Sequence, residues 1–152
     1  MGPSSLSPLH ADSGSLEMPG TWVLYTDGAS RGNPGRAAIG AVLYSWVEGD
    51  PLVEVETVSE AIGVATNNVA EYRAMLAGLE MARRRHPDLL WVRADSQLLI
   101  RQLEGRWRVR NVALAELHRK AQGMLEEMAH KLEYVPREHN TVADMLANRA
   151  LD

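Results

Sequence analysis

The amino-acid sequence predicts an α/β domain in which a five-stranded mixed sheet is flanked by helices. Short apolar runs with the spacing of strands fill residues 21–60 and are separated by turn-forming residues. From residue 68 onward, segments with helical spacing alternate with further short apolar runs. The expected element order is βββαβααβα, with the first three strands antiparallel.

Three strands are expected before the first helix. Trp22–Tyr25 is an apolar run that we expect to end at Asp27, and Gly28–Gly35 has the composition of a turn. Ala38–Val47 and Leu52–Ser59 follow as two strands around a second turn. Apolar and acidic residues alternate in the last of the three, which predicts a half-exposed antiparallel edge strand.

The rest of the chain alternates helices with strands. From Asn68 the apolar residues recur at helical spacing, and Pro87 ends this helix. The remaining predicted elements are a strand at Leu89–Val92, a helix at Ser96–Leu103, a longer helix at Val112–Met128, a strand at Lys131–Val135, a loop at Pro136–Asn140 and a last helix at Thr141–Ala150.

The length of 152 residues predicts one domain. We expect residues 1–20, which are rich in Ser, Pro and Gly, to be a disordered tail, and residues 21–152 to be the functional domain. The absence of Cys excludes disulfides, thiolate zinc sites and Cys nucleophiles. No apolar run approaches the roughly 20 residues that span a bilayer, and no signal-peptide pattern is present. A cytoplasmic location without a membrane partner is therefore the default expectation.

Charge is distributed unevenly along the chain. The formal net charge is −4, which taken alone argues against binding to nucleic acid. Eight arginines nevertheless lie between Met81 and Arg110, a segment that holds only three acidic residues. Such a stripe could contact a phosphate backbone, or its arginines could simply form ion pairs on solvated helix faces.

Four acidic residues are candidates for a common site. Asp27 and Asp95 each follow an apolar strand, and the carboxyl ends of parallel strands meet at one edge of a sheet. Glu71 and Asp144 each lie about one turn into a helix, and Asp144 shares a helix face with Asn140. Clustered carboxylates repel one another unless cations neutralise them. With oxygen ligands only, the expected cations are Mg²⁺ or Mn²⁺.

Each acid also has a local explanation. Asp27 could belong to a turn with the glycine that follows it, and Asp95 could be the N-cap of the next helix. Asn68–Glu71 has the spacing of a capping box, and Asp144 could be an ordinary surface acid. The combination of all four, rather than any one, favours a metal site.

Four segments share their residues and their order with the motifs of a known family. They are Tyr25–Ala29 with Gly32–Gly35, Thr66–Tyr72, Ala94–Gln97, and Asn140 with Ala143–Asp144 and Leu146–Ala147. In these segments the chain resembles type 1 ribonuclease H, and the resemblance covers about Thr21–Leu151. A single Asp-Gly pair would mean nothing, whereas four ordered motifs are specific.

The resemblance implies a ribonuclease H-like fold and a catalytic domain at 21–152. It implies an endonuclease that hydrolyses the RNA strand of RNA–DNA hybrids without strong sequence preference, leaving 3′-hydroxyl and 5′-phosphate ends. It also implies that Asp27, Glu71, Asp95 and Asp144 hold two Mg²⁺ ions with substrate, for which Mn²⁺ can substitute. Two such ions suit an in-line displacement at phosphorus. We expect the chain to act as a monomer.

The resemblance further implies contacts with the substrate. Amide side chains donate and accept hydrogen bonds, as the 2′-hydroxyl of RNA does. Asn33 and Asn68 have alternative roles in a turn and a helix cap, and both roles can coexist. The expected substrate-binding residues are Gly28, Asn33, Thr66, Asn67, Asn68, Gln97, Arg106, Trp107 and Asn140.

The chain departs from the family pattern at two places. A Lys-rich helical protrusion that many members carry is replaced by the short segment Gly105–Asn111, so we expect weaker hybrid binding, partly offset by Arg106, Arg108 and Arg110. Trp107 could pack on a sugar or could have a packing role within the protein. The family's mobile loop with a catalytic His is compact here, with His139 directly before Asn140. His139 is a candidate for proton transfer, or is an exposed loop residue.

Two other functions remain open from the sequence. One is a hybrid-binding module without activity, against which the presence of all four acids counts. The other is a transposase or integrase core, which usually has three acids and lacks the paired amides.

Overall fold

The computed structural model describes residues 20–152, so the predicted tail falls outside the described residues except for Gly20. The strands are β1 (Thr21–Ser30), β2 (Gly35–Trp46), β3 (Val53–Ala65), β4 (Leu89–Ala94) and β5 (His130–Tyr134). The helices are α1 (Asn67–Arg83), α2 (Gln97–Leu103), α3 (Val112–Glu126) and α4 (Thr141–Arg149), and α4 follows a single 3₁₀ turn at Arg137–His139. The disordered tail and the proposed domain limits stay predictions.

The five strands form one mixed sheet in the order β3-β2-β1-β4-β5. β1, β2 and β3 pair antiparallel, whereas β4 pairs parallel with both β1 and β5. The predicted α/β class, the element order and the three antiparallel strands are confirmed. The prediction that β3 is an edge strand is also confirmed.

β1 and β3 are longer than predicted. β1 does not end at Asp27, because its antiparallel pairing with β2 continues to Ser30, which lies opposite Ala37. β3 continues to Ala65, which pairs with Gly35 at the start of β2. Much of the predicted turn after Asp27 is therefore strand, since the long β2 provides hydrogen-bond partners that the local sequence does not reveal.

α1 and α4 cover opposite faces of the sheet. Successive residues of a strand point to opposite faces. Gly28 of β1 lies directly against Ala70 of α1, whereas Gly40, the partner of Asp27, lies against Ala143 of α4. The main core lies on the α1 face, where Leu24, Leu43, Tyr72, Met75 and Leu79 are all fully buried. Among residues 20–152, no helix is long and apolar enough to cross a membrane.

Candidate active site

Three of the four predicted acids meet at one edge of the sheet. The last parallel pair of β1 and β4 joins Thr26 to Ala94, so Asp27 and Asp95 are the next residues on neighbouring strands. Glu71 approaches them from α1. One carboxylate oxygen from each of Asp27, Glu71 and Asp95 lies within 4.8 Å of the others. These residues come from three elements, and their proximity is a product of the tertiary fold.

Asp144 lies beside this group without belonging to it. It is half-buried on α4 and interacts with Asp27 through a side-chain hydrogen bond, which contributes to the raised pKa of Asp27. Its Oδ1 accepts a hydrogen bond of 3.2 Å from the Nδ2 group of Asn148. The structure therefore brings all four acids to one region, with Asp144 at its margin.

The carboxyl groups disfavour one another's ionisation. Burial, followed by the charges of Glu71 and Asp95, raises the pKa of Asp27 to about 9. Burial and the charge of Asp95 raise the pKa of Glu71 to about 8. Burial also raises the pKa of Asp95. A divalent cation would relieve this repulsion, and an all-oxygen donor set without Cys or His suits a hard ion. The residues present therefore fit a Mg²⁺ or Mn²⁺ site.

The local explanations for Glu71 and Asp95 are wrong. α1 begins with Thr66 as its N-cap, whose hydroxyl accepts from the N–H of Val69 at 3.2 Å. Glu71 is therefore no part of a capping box, and its Oε1 accepts from the N–H of Gly28 at 3.2 Å. The N-cap of α2 is Ser96, so the carboxylate of Asp95 does not cap this helix. Both acids are thereby left to face the other carboxylates.

Arg137 is a functional candidate that the sequence did not single out. Its positive charge lowers the pKa of both Glu71 and Asp95, against the effect of their burial. The neighbouring His139 is exposed and lines a cavity of about 270 Å³ with Tyr25 and Tyr44. The sequence signal for Arg137 is a cation in the loop directly before a candidate metal-binding helix. The catalytic role of His139 stays a prediction.

Asn140 supports the site from within the protein. It is 2% exposed, and its Nδ2 donates to the carbonyl oxygen of Thr26 at 2.9 Å. A hydrogen bond with Asn140 also lowers the pKa of Asp95. Asn140 thereby joins the start of α4 to the ends of β1 and β4. A direct substrate contact through Asn140 stays a prediction.

Apart from the buried Asn140, the predicted substrate amides are exposed, and two of them are already oriented. Oδ1 of Asn33 accepts from the N–H of Asn67 at 3.1 Å, and Oδ1 of Asn67 accepts from the N–H of Ser30 at 3.1 Å. Their oxygens are therefore engaged with the protein, which leaves the Nδ2 groups as donors. Asn68 and Gln97 are exposed at the starts of α1 and α2.

Most of the arginine stripe consists of ion-paired side chains. Arg93 is buried and pairs with Glu133 at 2.6 Å, and Arg85 pairs with Glu56 at 3.0 Å. Arg83, Arg84, Arg101 and Arg106 also have acidic partners. Among residues 20–152 only Arg108 and Arg110 of the eight lack one. These arginines therefore do not form a continuous phosphate-binding stripe. Arg106 and Trp107 are nevertheless exposed.

Comparison with known proteins gives a consistent set of similarities. The family described as reverse transcriptase-like matches residues 25–150. The bifunctional protein Rv2228c of Mycobacterium tuberculosis is 44% identical over 131 residues, which is 86% of this chain and 35% of that protein. Ribonuclease HI of Halobacterium salinarum is 45% identical over 129 residues, covering 84% of this chain and 63% of that one. This chain thus spans about a third of the length of the first relative.

Two solved structures share the fold and much of the sequence. The crystal structure of RNase H1 from Halobacterium salinarum superposes with a TM-score of 0.81 at 44% identity, covering 87% of this chain and 98% of that one. LC11-RNase H1, solved in complex with an RNA/DNA hybrid, gives a TM-score of 0.77 at 36% identity, covering 86% and 96%.

Proposed function

Because this chain belongs to the type 1 ribonuclease H family, we propose that it is an endonuclease that hydrolyses the RNA strand of RNA–DNA hybrids. The observation that carries the proposal is the approach of Asp27, Glu71 and Asp95 to within 4.8 Å of one another. Support for the substrate comes from the similar LC11-RNase H1, whose structure holds an RNA/DNA hybrid. The cut leaves 3′-hydroxyl and 5′-phosphate ends and has no strong sequence preference.

Asp27, Glu71, Asp95 and Asp144 are the proposed ligands of two Mg²⁺ ions, for which Mn²⁺ can substitute. The chemistry that these ions supply when bound is a water of lowered pKa and charge stabilisation at the leaving 3′ oxygen. Asp27 and Asp95, which follow the last parallel pair of β1 and β4, would hold the ions at that edge of the sheet. Arg137 favours the ionised forms of Glu71 and Asp95 that such binding requires.

Substrate selection is proposed to rest on the amides around the acids. The Nδ2 groups of Asn33 and Asn67 donate hydrogen bonds, and the 2′-oxygen and the phosphate oxygens of a nucleic acid accept them. Because the turn of Asn33 is tied to the start of α1, these donors are held in place before substrate binds. Arg106 and Trp107, which are exposed in the segment after α2, are proposed as further contacts with the hybrid.

Cleavage of defined substrates tests this function. A labelled RNA strand annealed to DNA is incubated with the chain, with and without Mg²⁺, beside double-stranded RNA and duplex DNA of the same sequence. We expect Mg²⁺-dependent cleavage of the RNA in the hybrid and intact duplex DNA. Asp27→Asn is the matched variant, because it keeps the shape of the side chain and removes its charge. A chain that binds the hybrid without cutting it would instead be a binding module.

A further inference from the structure

Asp144 is held differently from the other three acids. It is not in the group whose oxygens lie within 4.8 Å of one another, and it lies on α4, which covers the opposite face of the sheet from α1. Its carboxylate interacts with that of Asp27, as described above. A second contact, made within α4, also holds this carboxylate.

Asn148 supplies that contact from one helical turn further along α4. Its Nδ2 group donates to Oδ1 of Asp144 at 3.2 Å and to the carbonyl oxygen of the same residue at 3.0 Å. Residues four apart on a helix share a face, which places this amide directly beside the carboxylate. A donor on Oδ1 leaves the other carboxylate oxygen free to face the cluster.

Asn148 is itself anchored to the turn that carries the substrate amide Asn33. Nη2 of Arg31 donates to the carbonyl oxygen of Asn148 at 3.3 Å and pairs with Asp152 at 2.8 Å. Arg36, on the other side of the same turn, donates to the carbonyl oxygen of Leu151 at 2.9 Å. The end of α4 therefore has a fixed position relative to this turn.

We propose that Asn148 is a positioning residue that orients the carboxylate of Asp144 toward the metal site. This inference rests on the proposed function, because it concerns one of the four proposed ligands. Partners that orient metal ligands typically change metal affinity or activity about 10- to 100-fold when they are removed. A purely structural role for Asn148 in α4 would instead change the stability of the helix and leave ion binding as it is.

The test combines ion binding with kinetics. Mg²⁺ is titrated into the whole chain by calorimetry, and kcat and KM are measured on an RNA–DNA hybrid. For Asn148→Ala we expect Mg²⁺ affinity and kcat to fall by about tenfold or more, with KM for the hybrid little changed. Asn148→Asp keeps the shape of the side chain but replaces the donor by a charge that repels Asp144. We therefore expect Mg²⁺ affinity and kcat to fall further in this variant than in Asn148→Ala. Asn148→Gln retains an amide donor and should recover part of the affinity.

Arg149→Gln is the control, since Arg149 is the exposed next residue of α4. Wild-type Mg²⁺ affinity and kcat in both Asn148→Ala and Asn148→Asp would overturn the proposal. If one variant does not fold, the other and Asn148→Gln still decide it. A wild-type chain that binds Mg²⁺ without cutting hybrid would refute the proposed function, while the titrations would still decide the role of Asn148. A wild-type chain that binds no Mg²⁺ would overturn both.

Discussion

The side-chain oxygen of Asn33 accepts a hydrogen bond of 3.1 Å from the backbone N–H of Asn67. This bond joins the turn between β1 and β2 to the start of α1, and it leaves the Nδ2 group of Asn33 as the part that can contact substrate. In the proposed function, the oxygen and the nitrogen of this amide thereby have separate tasks. The oxygen holds the turn, and the nitrogen is available for the nucleic acid.

Substitution of Asn33 should separate these tasks. Asn33→Asp keeps an oxygen for the Asn67 N–H and removes the donor, so we expect a folded chain with wild-type melting temperature and a KM about 3- to 10-fold higher. Asn33→Ala removes both bonds and should also lower the melting temperature. Steady-state kinetics and thermal melting measure the two effects. An unchanged KM in Asn33→Asp would show that this amide does not contact the hybrid.

Asp27→Asn should stabilise the ion-free protein while abolishing activity. Because the pKa of Asp27 rises from 3.8 to about 9 on folding, the folded state binds more protons than the unfolded state between these values. The stability of the ion-free wild type therefore falls as pH rises through this range. We expect the Asp27→Asn variant at pH 8 to be more stable than wild type by about 1–3 kcal/mol, measured by denaturant unfolding with chelator.

Mg²⁺ should reverse this order of stability. An ion that binds only the folded wild type adds to its stability, and the variant should gain less. At pH 3, below the ordinary pKa of Asp, the two proteins should be nearly equal. Greater stability of wild type in chelator at pH 8 would contradict the repulsion between the acids.

Arg137 and His139 should differ in their effects on activity. Without the charge of Arg137 the pKa values of Glu71 and Asp95 rise, so the carboxylates need a higher pH to ionise. For Arg137→Gln we expect turnover at pH 7 to fall roughly tenfold or more, with the acidic limb of the pH–rate profile moved to higher pH. His139→Ala should slow turnover by a smaller factor. If the pH–rate profile of Arg137→Gln coincided with that of wild type, Arg137 would have no role in the ionisation of these carboxylates.

Gly28 should tolerate no side chain. An added Cβ would overlap the backbone of Ala70 and Glu71, so Gly28→Ala must push α1 away from β1 and move the Glu71 carboxylate. We expect a loss of about 1–3 kcal/mol in unfolding free energy and a loss of activity. Gly123→Ala is the matched control, because nothing lies within 4 Å of its added Cβ in α3. Gly123→Ala should raise the free energy of unfolding by about 0.5–1 kcal/mol, because Ala favours the helical conformation more than Gly does. Equal stability of the two variants would contradict this close packing.

Local sequence patterns predicted the types and order of the elements, because hydrophobic periodicity follows directly from which face is buried. They also predicted that Asp27 and Asp95 lie close together, because each follows a strand and the two strands are parallel neighbours. In the structure both residues follow the last parallel pair of β1 and β4. The ends of β1 and β3 were wrong because pairing with β2, distant in sequence, extends them.

Interactions between distant residues were the part that the sequence did not reveal. Glu71 resembled a capping residue, yet its partner is Gly28, 43 residues away. For the arginines after Met81, the alternative of ion pairs was right for most of them, but their partners, such as Glu56 on β3 for Arg85, were not evident from the local sequence. Arg137 was missed because a loop has no periodicity that indicates where a side chain points.

The most direct measurement is anomalous diffraction from crystals of the chain soaked in Mn²⁺. The proposed site predicts a peak within bonding distance of the carboxylate oxygens of Asp27, Glu71 and Asp95, and a second peak toward Asp144 when a non-cleavable hybrid is bound. Saturating Mn²⁺ that gives no peak at these carboxylates, with or without the hybrid, would contradict it.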